Sequence, residues 1–182
     1  MLREERNAVT MTTRQRLARI AEAEARRPFH GFVMSLQHNL QPIVSLFPPW
    51  PIHKWVRNWC AAFVYYCCLK AGFELPVRWP DDRVPTNFAL CAAWLAWAKL
   101  PALRLHSPAT RGAFQPQAAD TVIYDHVFNG SPHDHIGIVL EVRADTITVA
   151  EGNVNNASAV ITRPKDRHIR GYIRIPSGFA LR

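Results

Sequence analysis

Residues 59–71 read WCAAFVYYCCLKA, with Asn58 before them and Gly72 after. Asn58 stands where a helix N-cap belongs, and Gly72 where a left-handed C-cap belongs. The stretch is apolar on most faces, so it predicts a helix buried in the core. Pro76, Pro80 and Pro85 then break the chain, and a second apolar helix is expected over about 87–99, carrying Trp94 and Trp97. From Asp120 onward the period is that of strands: Asp120–Tyr124, His135–Val142, Asp145–Glu151, Ala159–Arg163 and Ile169–Ile175 are rich in Val, Ile, Thr and Tyr. Helices followed by an antiparallel sheet make an α+β fold.

On the other side of the buried helix, Thr13–Arg27 reads as a surface helix capped by Thr12 or Thr13. Its apolar stripe of Leu17, Ile20 and Ala21 is thin, so light packing is expected. Phe32–Leu40 is read as a second short helix, and Pro42, Pro48, Pro49 and Pro51 as punctuating a loop wrapped over the core.

With 48% apolar and 20% charged residues, the 182-residue chain is neither disordered nor fibrous, and it can bury a full core. Its apolar runs are too short to span a bilayer. Met1–Arg27 is Arg-rich and lacks the apolar centre of a secretory signal, so signal-directed export is not expected. Cys60, Cys67, Cys68 and Cys91 are too few and too irregular for a disulfide framework. A cytoplasmic site of synthesis follows as the expectation. The net charge is +8, and residues 161–182 hold six Lys/Arg against one Asp. Such a tail suits anionic partners in general, and a solvated face equally.

Cys60 lies in the first turn of the buried helix, where free N–H groups and the positive end of the helix dipole meet. That setting favours thiolate over thiol and supplies donors for an oxyanion. Burial as a small hydrophobe is the competing reading for Cys60, and the one adopted for Cys67, Cys68 and Cys91 as mid-helix residues. A cysteine nucleophile needs a base, and the base an orienting group. His135 opens the strand HIGIVLEV; Glu151 and Asn153 close the next. A hairpin centred on Ala144 sets His135 opposite Asn153 and Gly137 opposite Glu151. Either Glu151 or Asn153 reaches the imidazole in that register, with Gly137 leaving room. Charge favours Glu151, the idealised register Asn153. His133 and His135 flank Asp134 as alternate strand residues could flank a metal, but a third ligand at convincing spacing is missing, so no metal or other cofactor is expected. Asp125, His126, His133 and Asp134 read as ordinary loop residues, and Asp120 as structural.

Together these residues resemble the CHAP domains (cysteine, histidine-dependent amidohydrolases/peptidases) and the wider NlpC-like group of papain-fold enzymes. WCAAFVYYCCLKAG over Trp59–Gly72 is similar to the nucleophile helix, with Cys60 at the nucleophile position. QPQAADTVIYD over Gln115–Asp125 resembles the lead into the first core strand, HDHIGIVLEV the histidine strand, and VAEGNVN over Val149–Asn155 the strand end bearing an acidic residue and an asparagine. Ala119 stands where relatives commonly have glycine, and residues 1–50 have no counterpart in the bare domain.

The resemblance implies a papain-like α+β domain over residues 51–182 preceded by an N-terminal helical extension over 1–50. It implies acyl transfer on an amide by Cys60 and His135, with Glu151 or Asn153 orienting the imidazole. Trp59 is a candidate for lining the substrate cleft, against a packing role. The expected activity is that of a bacterial peptidoglycan amidase or endopeptidase, with peptidoglycan or another anionic wall polymer as partner and a non-signal route to the wall. Nucleic acid is not expected. A cysteine protease or amidase on an intracellular protein or small amide is the second reading, and a non-catalytic anion-binding module the third.

Overall fold

The computed structural model describes residues 11–27, 29–31, 39–47, 58–110 and 114–180. Its elements in chain order are α1 (Thr13–Arg26), α2 (Gln41–Val44), α3 (Cys60–Ala71), α4 (Cys91–Ala98), β1 (His106–Pro108), β2 (Thr121–Tyr124), β3 (His135–Val142), β4 (Thr146–Val154), β5 (Ala157–Pro164) and β6 (Ile169–Ile173). The six strands form one antiparallel sheet in the order β1-β6-β2-β3-β4-β5. This is the α+β arrangement expected, compatible with a papain-like fold. No helix among the described residues is long and apolar enough to cross a membrane.

Helix α3 is buried on nearly every face, and its C-cap Gly72 is left-handed at φ 94°, as expected. It packs on the sheet face made by Ile136, Ile138 and Ala150. The approach is close because β4 presents Gly152 there: a Cβ at that position would stand 2.5 Å from Phe63 Cβ and 2.8 Å from Trp59 Cζ3. The opposite face of the sheet buries Val122, Tyr124, Val139, Ile147 and Val149, under Phe114 and Val127.

Several sequence expectations are corrected. Asn58 is not the cap of α3; Trp59 is, without a side-chain hydrogen bond, and Cys60 is the first helical residue. Helix α4 begins at Cys91 rather than about 87, after a turn in which Leu90 N–H reaches Asn87 C=O. Pro42 starts a helix instead of a loop: in the first turn its fixed φ suits the helix and its missing N–H is not needed. The short strand β1, pairing with β6 at the sheet's edge, was not foreseen. The helix read over Phe32–Leu40 falls largely on residues 32–38, outside those described, as do Pro48, Pro49 and Pro51.

Helix α1 does not pack lightly. Thr12 caps it through a capping box with Gln15, and Leu17, Ala21 and Ala25 lie in the main core. Burying Leu17 alone contributes about 2 kcal/mol. Polar ties supplement the stripe. Glu24, 5% exposed, accepts hydrogen bonds from Lys70 (2.5 Å) and Tyr66 (3.3 Å) on α3. Asp120, fully buried where β2 begins, accepts from Arg14 (2.8 Å) and, through both oxygens, from Arg174 (2.9 and 2.6 Å). The structural reading of Asp120 therefore has a specific content: it fastens α1 and the chain after β6 to the sheet.

Replacing Asp120 by Ala removes the anion shared by two guanidiniums. Loss of one partner of a buried ion pair costs about 3–5 kcal/mol. Because Arg14 and Arg174 both reach water, the low end, about 3 kcal/mol, is expected. Urea unfolding of Asp120→Ala measures it; a loss below about 1 kcal/mol means that α1 is held without the Asp120 ion pairs.

Candidate active site

Cys60 is positioned by the start of α3. An uncapped N-terminus leaves the first-turn N–H groups uncommitted, and the Ala61 N–H hydrogen-bonds the Cys60 sulfur. The side chain, 5% exposed, lines a cavity of about 220 Å³ together with Asn58, Leu90, Cys91, His133 and Asp134.

His135 is positioned by the start of β3. Its Cα partner on β2 is Tyr124, whose ring stacks on the imidazole with centroids 6.1 Å apart and planes 29° apart. Phe128 also stacks with the imidazole, at 6.0 Å and 12°. The ring thus packs against two aromatic side chains. Phe128 is 43% exposed, and its loop is organised by Asp134, whose carboxylate accepts the N–H groups of Val127, Phe128 and Asn129. Asp125 accepts the His133 N–H and pairs with Arg170 at 3.1 Å. These loop residues, read from sequence as ordinary, shape one wall of the site.

Glu151 holds the imidazole. Its Oε2 accepts from His135 Nε2 at 2.7 Å, with both side chains buried. A carboxylate can only accept, so Nε2 carries a proton. His135 Nδ1, buried and without a hydrogen-bond partner, is the nitrogen left to serve Cys60. Of the two candidates that the sequence left open, Glu151 makes this bond. Gly137 gives it room: a Cβ there would lie 2.7 Å from Glu151 Cγ. Asn153, 2% exposed, is not directly opposite His135 in the pairing of β3 with β4, which ends at Gly137–Glu151. A bulge between Glu151 and Val154 places Asn153 at φ 64° and ends the regular alternation.

The hairpin register also has a different origin from the one expected. The turn is one residue tighter, with Glu141 opposite Thr148 and Val142 opposite Ile147. An extra residue on β3, Leu140, restores the pairing of Val139 with Val149 and Gly137 with Glu151. The site register matches the idealised one because these two departures cancel.

Trp59 corrects its expectation. It is 1% exposed, packs edge-on against Phe63, and is not among the residues lining the cavity. At the N-cap its ring turns inward against Gly152. Two further neighbours of the site were missed. Arg163 on β5 donates to both oxygens of Glu151, at 2.6 and 2.7 Å, and lies over the Tyr124 ring at 4.9 Å. It belongs to the basic C-terminal stretch read as a surface for anions; within that stretch Arg163, Arg170 and Arg174 are paired internally with Glu151, Asp125 and Asp120. Cys91 was read as mid-helix, yet it opens α4 with its sulfur 3.8 Å from that of Cys60. No local pattern marks either neighbour, since both contacts join distant segments.

The electrostatics favour an ion pair. The Cys60 thiol is lowered to about 5, first by its hydrogen bond with Cys91, then, against the opposing effect of burial, by His135 and the Ala61 N–H. Burial pushes His135 down, but Cys60 and Glu151 outweigh it and raise the imidazole to about 9. Glu151 is lowered in spite of its burial, because His135 and Arg163 both donate to it. Burial raises Cys67 and Cys68, which leaves them as thiols. Among the described residues no group of three His, Cys, Asp or Glu is placed to hold a metal ion. The Asp134 carboxylate between His133 and His135 is occupied by its loop. The arrangement therefore couples an acidified thiol to an imidazole that holds its proton.

Comparison with known families agrees with this geometry. The model of the CHAP domain matches residues 52–153, more than half of the chain. The match includes Cys60, His135, Glu151 and Asn153. Among curated proteins and solved structures, none matches the chain significantly. The chain belongs to the CHAP domain family, a family of amidohydrolases and peptidases.

Proposed function

We propose that this protein is a cysteine hydrolase that cleaves amide bonds in bacterial peptidoglycan, with Cys60 as nucleophile and His135 as acid and base. The observation that carries the reading is the sequence of contacts Arg163–Glu151–His135, ending at the helix start that bears Cys60. The thiolate attacks the amide carbonyl, and charge passes to the carbonyl oxygen. N–H groups at the start of α3 are the donors nearest that oxygen. The C–N bond breaks as His135 Nδ1 protonates the leaving amine, and a thioester remains. His135, now neutral, takes a proton from water as it attacks the thioester, and Cys60 is released. Glu151 keeps Nε2 hydrogen-bonded throughout, so the ring turns neither away from the sulfur nor into the wrong tautomer. Peptidoglycan as substrate is supported by the family and by the net charge of +8, part of it on the exposed Lys165 and Arg167. The internally paired arginines contribute less to that argument than the sequence suggested.

Digestion of purified peptidoglycan, followed by mass spectrometry of the released fragments, tests the proposal. Wild type is expected to release new amino termini, and Cys60→Ala to be at least about 1,000-fold slower. Equal release by both would remove Cys60 from the mechanism. Cleavage of soluble peptide amides without attack on peptidoglycan would transfer the same chemistry to another substrate.

The dependence of kcat/KM on pH is expected to be bell-shaped, with limbs near about 5 and about 9. Below the first limb the Cys60 sulfur is protonated and cannot attack. Above the second, His135 has lost the proton that the leaving amine needs. A single limb near neutrality would mean that the pair is not ionic in the free enzyme.

Glu151→Gln removes the charge that favours the imidazolium. The alkaline limb is expected to move to lower pH, and kcat/KM to fall by about 100-fold or more. An unchanged profile would leave Glu151 with a packing role only.

A further inference from the structure

The mechanism above makes no use of Cys91, yet this thiol reaches the nucleophile from another helix. Its Sγ is 3.8 Å from Cys60 Sγ, and both sulfurs line the same cavity. Cys60 is the first residue of α3 and Cys91 the first residue of the eight-residue α4. Two helix N-termini, each with a positive dipole end and no side-chain cap, therefore converge on one pair of sulfurs. Such a field favours one negative charge at the pair, and close approach forbids two. The location of that charge follows from the surroundings. Facing Cys60 are the His135 imidazole on β3 and the Ala61 N–H, with Glu151 and Arg163 behind the imidazole. Facing Cys91 is the negative charge of Asp134 in the loop before β3. His133, from the same loop, lines the cavity as well. The charge belongs on Cys60 and the proton on Cys91.

Resting on the reading of Cys60 as nucleophile, we propose that Cys91 is a positioning residue whose S–H donates a hydrogen bond to the Cys60 thiolate and holds it charged at the cavity wall. In the step that forms the thioester, electron density leaves the sulfur for the carbonyl oxygen, and this hydrogen bond weakens. Cys91 keeps its proton throughout. The direction of the shifts agrees: the contact lowers Cys60, and the same contact, with burial, raises Cys91.

The test is the rate of iodoacetamide alkylation at Cys60 against pH, read by mass spectrometry of the peptide carrying it, in full-length wild type, Cys91→Ala and Cys91→Ser. A hydrogen bond to a charged group corresponds to a shift of about one pH unit or more. Cys91→Ala is therefore expected to move the midpoint of Cys60 alkylation up by about one unit, so that labelling at pH 5 slows about fivefold. Cys91→Ser keeps a donor and is expected to recover at least half of the shift. Equal midpoints in wild type and Cys91→Ala overturn the proposal. So does a serine variant that titrates like the alanine variant, because that outcome assigns the effect to packing. Should Cys91→Ala fail to fold, diamide treatment of wild type decides proximity. Diamide takes up two hydrogens as the two thiols join, so the native protein should lose two mass units and block both cysteines; separate, unlinked thiols would overturn the proposal. None of these measurements needs turnover. Persistence of peptidoglycan cleavage in Cys60→Ala would sink the hydrolase reading while leaving the titration result to stand or fall by itself.

Discussion

A carboxylate buried out of water must be matched by donors, and Glu151 is matched by two cations from different strands. Arg163 approaches from β5 and His135 from β3, so the single anion on β4 ties three adjacent strands at the end where the cavity lies. The consequence is directional. With Nε2 committed to Glu151, the imidazole has one nitrogen left, and it is the one available to Cys60. Tyr124 and Phe128, both stacked with the imidazole, restrain it from rotating away. The Arg163 guanidinium then closes the arrangement by lying over Tyr124.

The second constraint is the closeness of α3 to the sheet. Gly152 removes the side chain that would otherwise hold β4 away from Trp59 and Phe63. Trp59 fills the space as the N-cap residue, and the helix therefore starts without a polar cap. A helix end without such a cap forgoes about 1 kcal/mol of stability. Here the Ala61 N–H at that end acts on the Cys60 sulfur instead. Stability elsewhere offsets this: α1, fastened by Glu24 and Asp120, covers α3 and brings the N-terminal segment into the main core. Phe29 C=O also accepts from Ser158 N–H of β5, and Gly31 N–H donates to Asn156 C=O in the turn before it, which shields part of that edge strand.

Much of the architecture was legible because its causes are local. Alternation of Val, Ile and Thr marks strands wherever it occurs, and the bounds of β3 follow from the sequence His135–Val142 without change. The left-handed Gly72 ends α3 where a glycine cap predicts. Local reasoning failed where a bulge or turn depends on its neighbours. The tighter turn after β3 and the extra residue at Leu140 each displace the register by one, and only together do they return Gly137 to Glu151. The extension of β4 to Val154 similarly depends on Asn155 and Asn156, which both take positive φ in a two-residue turn.

The sequence by itself determined the α+β class, a buried helix with Cys60 in its first turn, and the histidine strand followed by a strand bearing Glu151 and Asn153 near its end, because hydrophobic period is written over a few adjacent residues. Tertiary structure alone decided that Glu151 takes the imidazole, that Trp59 turns into the core, that Arg163 is bound inside rather than offered to an anion, and that Cys91 meets Cys60. Each of those outcomes sets side chains from segments far apart in the chain within a few ångströms, and burial then rewards or penalises their charges; no window of sequence contains both partners.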